Sequence, residues 1–464
     1  MSAEPELARF VIDTEYHDLS GAAIEAAKRD IFDTIGVGLG GSQAPGIAQV
    51  LGYAREMGGK ESSTILVHGD RVPPAAAALV NGTSCHALDY DDTHDRAVLH
   101  TGVVVVPAAF AVAEYMGGVS GKDLITAVTL GVDIHCRLGL ATKLWIGWML
   151  TPLYGYFGAT AAAGKLLKLD EEGILNAWGI AYSQAAGNTE MITSGALTKR
   201  MQAGFASSGG LVAALLAQKG ITGSRASFEG RDGIFNLYQR GEYDAEALTE
   251  ELGKRFEIEN LSYKPYPCCR FNHSGIDAAL GIEVASEHAI QPEQIEEIRV
   301  AVSSAGFVNN CEPIEVKRRP RTPVDAQFST PYTIACALVK KRVGIADFTE
   351  EAIRDPAVLE IASRVHPFVD PEIEKSAGRE ISPTSIEVRL KTGETYSARV
   401  QYPKGHPKNQ MTPEEFESKF RSSALSAGEG FSPRIIDQII DSLRNLEQID
   451  DVGQITRLFN LKEG

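Results

Sequence analysis

Ile386-Glu-Val-Arg-Leu390-Lys-Thr-Gly393-Glu-Thr-Tyr396-Ser-Ala-Arg-Val400-Gln-Tyr402 alternates apolar with polar or small side chains on both sides of a glycine-containing turn. A strand points successive side chains to opposite faces, so this period of two predicts a half-buried hairpin. Upstream, Ile298, Val300 and Val302 repeat the same alternation. Helical spacing at Gly275–His288 and Tyr332–Lys341 lies between these strands, which makes residues 264–403 a smaller α+β domain.

On either side the period changes to that of helices. Ile24, Ala27, Ile31, Thr34 and Ile35 recur at helical spacing. Ser120 with Asp123 reads as an N-cap with an acid at the third helical position, opening a helix that ends near Arg137–Lys143. Phe157–Leu167 is a helix of small residues that lets neighbours approach closely, and Glu171–Gln184 and Lys199–Gln218 follow. Ser63–Val67 is one candidate strand. After Pro403 the chain returns to helix, with Thr412 as N-cap before Pro413 and a second helix at Pro433–Leu446. The expected fold is mainly α with a smaller α+β domain: residues 1–263, with 404–464 packing back, form a large all-helical domain, and 264–403 form the lid.

A chain of 464 residues with 44% apolar and 23% charged residues has material for two such cores without staples. The net charge of −16, spread along the chain, argues against nucleic acid or an anionic membrane surface as partner. Six cysteines without a CxxC pair fit a reduced, cytoplasmic setting. Met1–Arg9 lacks an apolar signal region, and the longest apolar run, Gly102–Ala113, is too short to span a membrane.

Three stretches carry chemistry. His86-Ala-Leu-Asp-Tyr-Asp-Asp-Thr-His-Asp-Arg-Ala-Val-Leu-His100 holds three histidines and four aspartates between two apolar helices, where charge is costly unless paired. It reads as a catalytic segment, a polar surface loop, or, through His94-Asp95, part of an HD-type metal-dependent phosphohydrolase site. Thr198-Lys199-Arg200-Met-Gln-Ala-Gly204 places two cations where a helix N-terminus disfavours them, a conflict that an anionic ligand would resolve. Lys264-Pro-Tyr-Pro-Cys-Cys-Arg270-Phe-Asn-His273 fixes Lys264, Arg270 and His273 on a backbone stiffened by two prolines, at a domain boundary where ligands commonly bind.

These motifs, with Asn81–Thr93, Phe328-Ser-Thr-Pro-Tyr332 and Val400-Gln-Tyr-Pro-Lys-Gly405, resemble the MmgE/PrpD family nearly end to end. The resemblance implies a homodimer without cofactor or metal, acting on a small polycarboxylate. Its chemistry is dehydration of a 2-methylcitrate-like hydroxy acid or decarboxylation of a cis-aconitate-like acid. Epimerisation of a dicarboxylate such as iminodisuccinate is the isomerase alternative, and an inactive binding homologue is a further one. The resemblance also implies catalytic roles for His100, Asp89 and Thr93, and substrate binding by Lys199, Lys264, Arg270 and His273. One departure stands out: where relatives carry Trp-His or Phe-His, this chain has Gly147-Trp-Met149-Leu-Thr-Pro152, and a thioether cannot move a proton at neutral pH. Thr151, Tyr154 and Tyr156 are the neighbours that can compensate.

Overall fold

A computed structural model describes residues 2–285, 290–377, 383–428 and 430–459. The chain forms two compact units: residues 1–191, 197–261 and 412–464 make one, and 192–196 with 262–411 make the other.

The first unit is helical. Gly121–Ala141 opens with the Ser120–Asp123 capping box and is wholly buried, so its length and apolarity are those of a core helix. It packs on Leu150–Leu166, which begins well before the expected Phe157. Gly131 and Gly158 explain the close approach: a Cβ on either would come 2.8 Å from the other's carbonyl oxygen. Pro74–Cys85 and Thr198–Gln218 pack together, and Gly21–Gly41 lies against Pro413–Ser426 of the C-terminal segment, whose Thr412 cap and Glu415 form a capping box. The expected strand at Ser63–Val67 is shorter, because Ser63–Thr64 pairs with Arg71–Val72 and the residues between turn the chain.

The second unit holds a four-stranded sheet in the order Val365–Val369, Ile295–Val302, Thr384–Leu390, Thr395–Val400. The hairpin is in register, with Ile386 opposite Ala398 and Val388 opposite Tyr396. Ile298, Val300, Ile386 and Val388 share a core with Ile276, Ala279 and Ile334 from helices His273–Ala285 and Thr330–Lys340. The expected helix at Gly275–His288 thus starts earlier, and its positions 286–288 lie outside the described residues. Val365–Val369 was not foreseen. It contains Pro367, which suits only an edge strand, and it pairs in parallel with Ile295–Val302 at the sheet's edge.

Candidate active site

Residues 86–95 are almost wholly buried, so the surface-loop alternative fails. Helix Pro74–Cys85 ends at His86, and Asp89 then takes a left-handed φ of 54°, a conformation Asp tolerates better than most residues. That turn aims Asp89 at Lys199, whose Nζ donates to Asp89 Oδ2 at 2.7 Å. Both side chains are about 95% buried, with 5% and 3% exposure. The conflict foreseen at the start of helix Thr198–Gln218 is therefore relieved by a carboxylate of the same chain. Arg200, also buried, donates to the Pro45 carbonyl.

His100 is fixed from three sides. Its backbone N–H donates to Thr151 Oγ1 at 3.0 Å. Its Nδ1 lies 2.6 Å from the Asp92 carbonyl, which only accepts, so Nδ1 carries the proton and Nε2 is the basic nitrogen of the neutral ring. Thr93 Oγ1 sits 3.2 Å from the same Nδ1. Of the three neighbours expected to compensate for Met149, Thr151 touches His100, whereas Tyr154 is bonded to Thr142 Oγ1 at 2.7 Å and Tyr156 packs against the helix at Gly209. Met149 itself is the N-cap residue of Leu150–Leu166.

Behind His100 lies a buried acidic cluster. Asp92 accepts from Thr101 N–H and Oγ1 and from Gly102 N–H, capping helix Gly102–Met116 where the helix end favours negative charge. Burial, then the neighbouring Asp91 charge, push the Asp92 carboxyl up to about 7. Asp30, fully buried with neither carboxyl oxygen hydrogen-bonded, is raised well above the usual carboxylate range by burial and by Asp92. Its neutral form avoids an uncompensated buried charge.

His94 proves structural. Its Nδ1 accepts from Ala97 N–H at 3.1 Å, so Nε2–H donates to Glu257 Oε2 at 3.1 Å. Both nitrogens are engaged, which overturns the HD-type ligand reading. Asp95 is also buried, while Arg96 is exposed.

In the second unit the other motif residues converge. Lys264, Arg270 and His273 are buried, and His273 Nε2–H faces the Cys268 carbonyl at 3.2 Å. Arg270 donates to the Lys404 carbonyl at 3.3 Å, and Tyr263 N–H to the Gly405 carbonyl at 2.9 Å. Asp277 accepts from Tyr266 Oη–H and from Lys404 N–H, each at 2.6 Å. Cys269 N–H and Asn272 Nδ2–H both donate to the Gln327 carbonyl, beside Ser329, the N-cap of Thr330–Lys340. Three motifs distant in sequence form one hydrogen-bonded scaffold.

Comparison with known families matches residues 5–246 to the MmgE/PrpD N-terminal domain and residues 266–443 to the MmgE/PrpD C-terminal domain. The chain belongs to the MmgE/PrpD family. Among its relatives is a cis-aconitate decarboxylase-like protein of Aspergillus oryzae, 29% identical over 98% of this chain and 96% of the relative. The cis-aconitate decarboxylase of Homo sapiens is 28% identical over 95% of this chain and 91% of its own length. The 2-methylcitrate dehydratase of Escherichia coli K12 is 23% identical over 88% of each. Both named activities are lyase activities, and membership places this MmgE/PrpD chain among lyases.

His86, Asp91 and Asp92 were not singled out from the sequence, although all three lie in the quoted histidine-rich stretch. The available signal there was the Asp91-Asp92 pair, two consecutive carboxylates in a segment flanked by apolar helices.

Proposed function

We propose that this protein decarboxylates a small unsaturated tricarboxylate of the cis-aconitate type. One observation carries the reading: a histidine whose Nδ1 is tied to a backbone carbonyl, which makes Nε2 its basic nitrogen, in the same motif as the Asp89 that pairs with buried Lys199. The kinship with decarboxylases over nearly the whole chain supports it.

In this reading the imidazolium of His100 delivers its Nε2 proton to one end of the substrate's carbon–carbon double bond as the C–CO2 bond on the carbon attached to its other end breaks. The electron pair of that bond passes through the conjugated double bond to the carbon that takes the proton. Carbon dioxide leaves, and the ring is reloaded from water. The electrons remain within the substrate, so the reading calls for no cofactor. Lys199, an ammonium with three N–H donors, steadies a substrate carboxylate. Asp89 holds that ammonium in place, and Thr93 keeps the imidazole in its plane. Lys264, Arg270 and His273 are retained as substrate-binding candidates; substituting Lys264 or Arg270 raises KM for the tricarboxylate more than it lowers kcat.

Incubation with cis-aconitate, 2-methylcitrate and iminodisuccinate, followed by mass spectrometry, tests the reaction. Loss of carbon dioxide from cis-aconitate is expected. Loss of water from 2-methylcitrate instead replaces the reading with dehydration, and racemisation of iminodisuccinate with epimerisation. His100→Ala lowers turnover by about 100-fold or more, the scale of losing a general acid; near-normal turnover in the folded variant removes His100 from the mechanism.

A further inference from the structure

Asp91 is a buried residue that the proposed mechanism leaves unused. Its Oδ2 lies 2.9 Å from His86 Nδ1 and 3.2 Å from His100 Nδ1, and the two rings stand 5.1 Å apart. We infer that Asp91 is a positioning residue that compensates the charge on His100 when that ring is protonated, and that His86 holds Asp91 in place as a neutral hydrogen-bond donor. The inference rests on the reading of His100 as the proton-transfer group.

The surroundings favour this division. One carboxylate faces two imidazoles, and its charge serves His100 only if His86 stays neutral. His86 is 2% exposed, and burial, then the Lys199 ammonium, lower its proton affinity against the pull of Asp91 and Asp89. His100 is 14% exposed, the more accessible of the two. Asp91 is fully buried, so its field is poorly screened. The packed elements direct their other charges elsewhere. Lys199 is held by Asp89, and Lys419 by Asp33 at 2.7 Å and by the Tyr90 carbonyl at 2.8 Å. The Asp92 carboxyl is turned to Thr101 and Gly102, and burial disfavours the charged forms of Asp30 and of the Cys85 thiol. Asp91 thus presents a carboxylate directly to the His100 ring, 3.2 Å from its Nδ1.

The test reads the resting protein without turnover. Histidines labelled at 13Cε1 are titrated by NMR, with His100 assigned by its loss in His100→Ala. In Asp91→Asn the His100 midpoint falls by about one pH unit or more, the scale of losing an adjacent opposite charge. In His86→Phe it rises, because Asp91 loses a competing donor. A His100 midpoint that stays put in Asp91→Asn overturns the inference. If that variant does not fold, an unchanged or lowered midpoint in His86→Phe does so. In kcat/KM, the fall in activity with rising pH moves to lower pH in Asp91→Asn by the same amount. A midpoint that moves while the kcat/KM profile stays fixed leaves the pairing intact and sinks only the assignment of His100 as the acid.

Discussion

Glu257→Gln removes the charge from the one carboxylate that ties His94 to the rest of the helical unit. Glu257 is 2% exposed. Its Oε2 accepts from His94 Nε2 at 3.1 Å and from Asn260 Nδ2 at 2.9 Å, and its Oε1 accepts from Arg255 Nε at 3.0 Å. Burial opposes ionisation, but the His94 hydrogen bond, then those from Asn260 and Arg255, overcome it and hold the carboxyl down from 4.5 to about 2. A depressed pKa contributes stability that is fully present above the unfolded value and lost as pH falls through the folded one. The gap corresponds to about 3 kcal/mol at pH 7 and to about 1.5 kcal/mol at pH 3. The three tryptophans, Trp145, Trp148 and Trp178, all belong to the helical unit, so their fluorescence in urea reports that unit alone. Wild type and Glu257→Gln are expected to differ most near neutrality and to converge as pH falls from 4.5 toward 2. A difference that stays constant from pH 7 to pH 3 refutes the linkage, since a lost contact of any other kind has no reason to follow that titration.

Lys199→Met leaves Asp89 buried without its ammonium and is expected to cost about 3–5 kcal/mol in urea unfolding, while Lys199→Met with Asp89→Asn recovers a large part because no charge is stranded. A double variant no more stable than the single one rules out that pairing energy. Gly102→Ala would set a Cβ 2.1 Å from Thr34 Oγ1 and 2.9 Å from Asp92 Oδ1. Overpacking on this scale costs about 1–3 kcal/mol, and because Asp92 also holds His100, turnover falls with it. Thr34→Ala in the same chain restores stability, and failure to do so means that the collision is not the cause.

The hairpin at Thr384–Val400 and the caps at Ser120 and Thr412 were legible because each depends on neighbours in sequence: alternation sets a strand's faces, and an N-cap side chain reaches an amide three residues on. Val365–Val369 was not, because an edge strand with a proline owes its conformation to its partner rather than to its own pattern. The site divides along the same line. His86–His100 was legible as chemistry because so much charge between apolar helices demands compensation. Which residue compensates which was not, since Asp89 finds Lys199 across 110 positions and His94 finds Glu257 across 163. Density of titratable groups therefore locates the site, whereas burial and pairing assign the roles. His94 and His100 show the consequence: six residues apart, one has both ring nitrogens committed to the protein, and the other has its Nδ1 committed and its Nε2 as the basic atom. A proton carrier needs a nitrogen whose protonation the surroundings can balance, and that condition selects the ring beside Asp91.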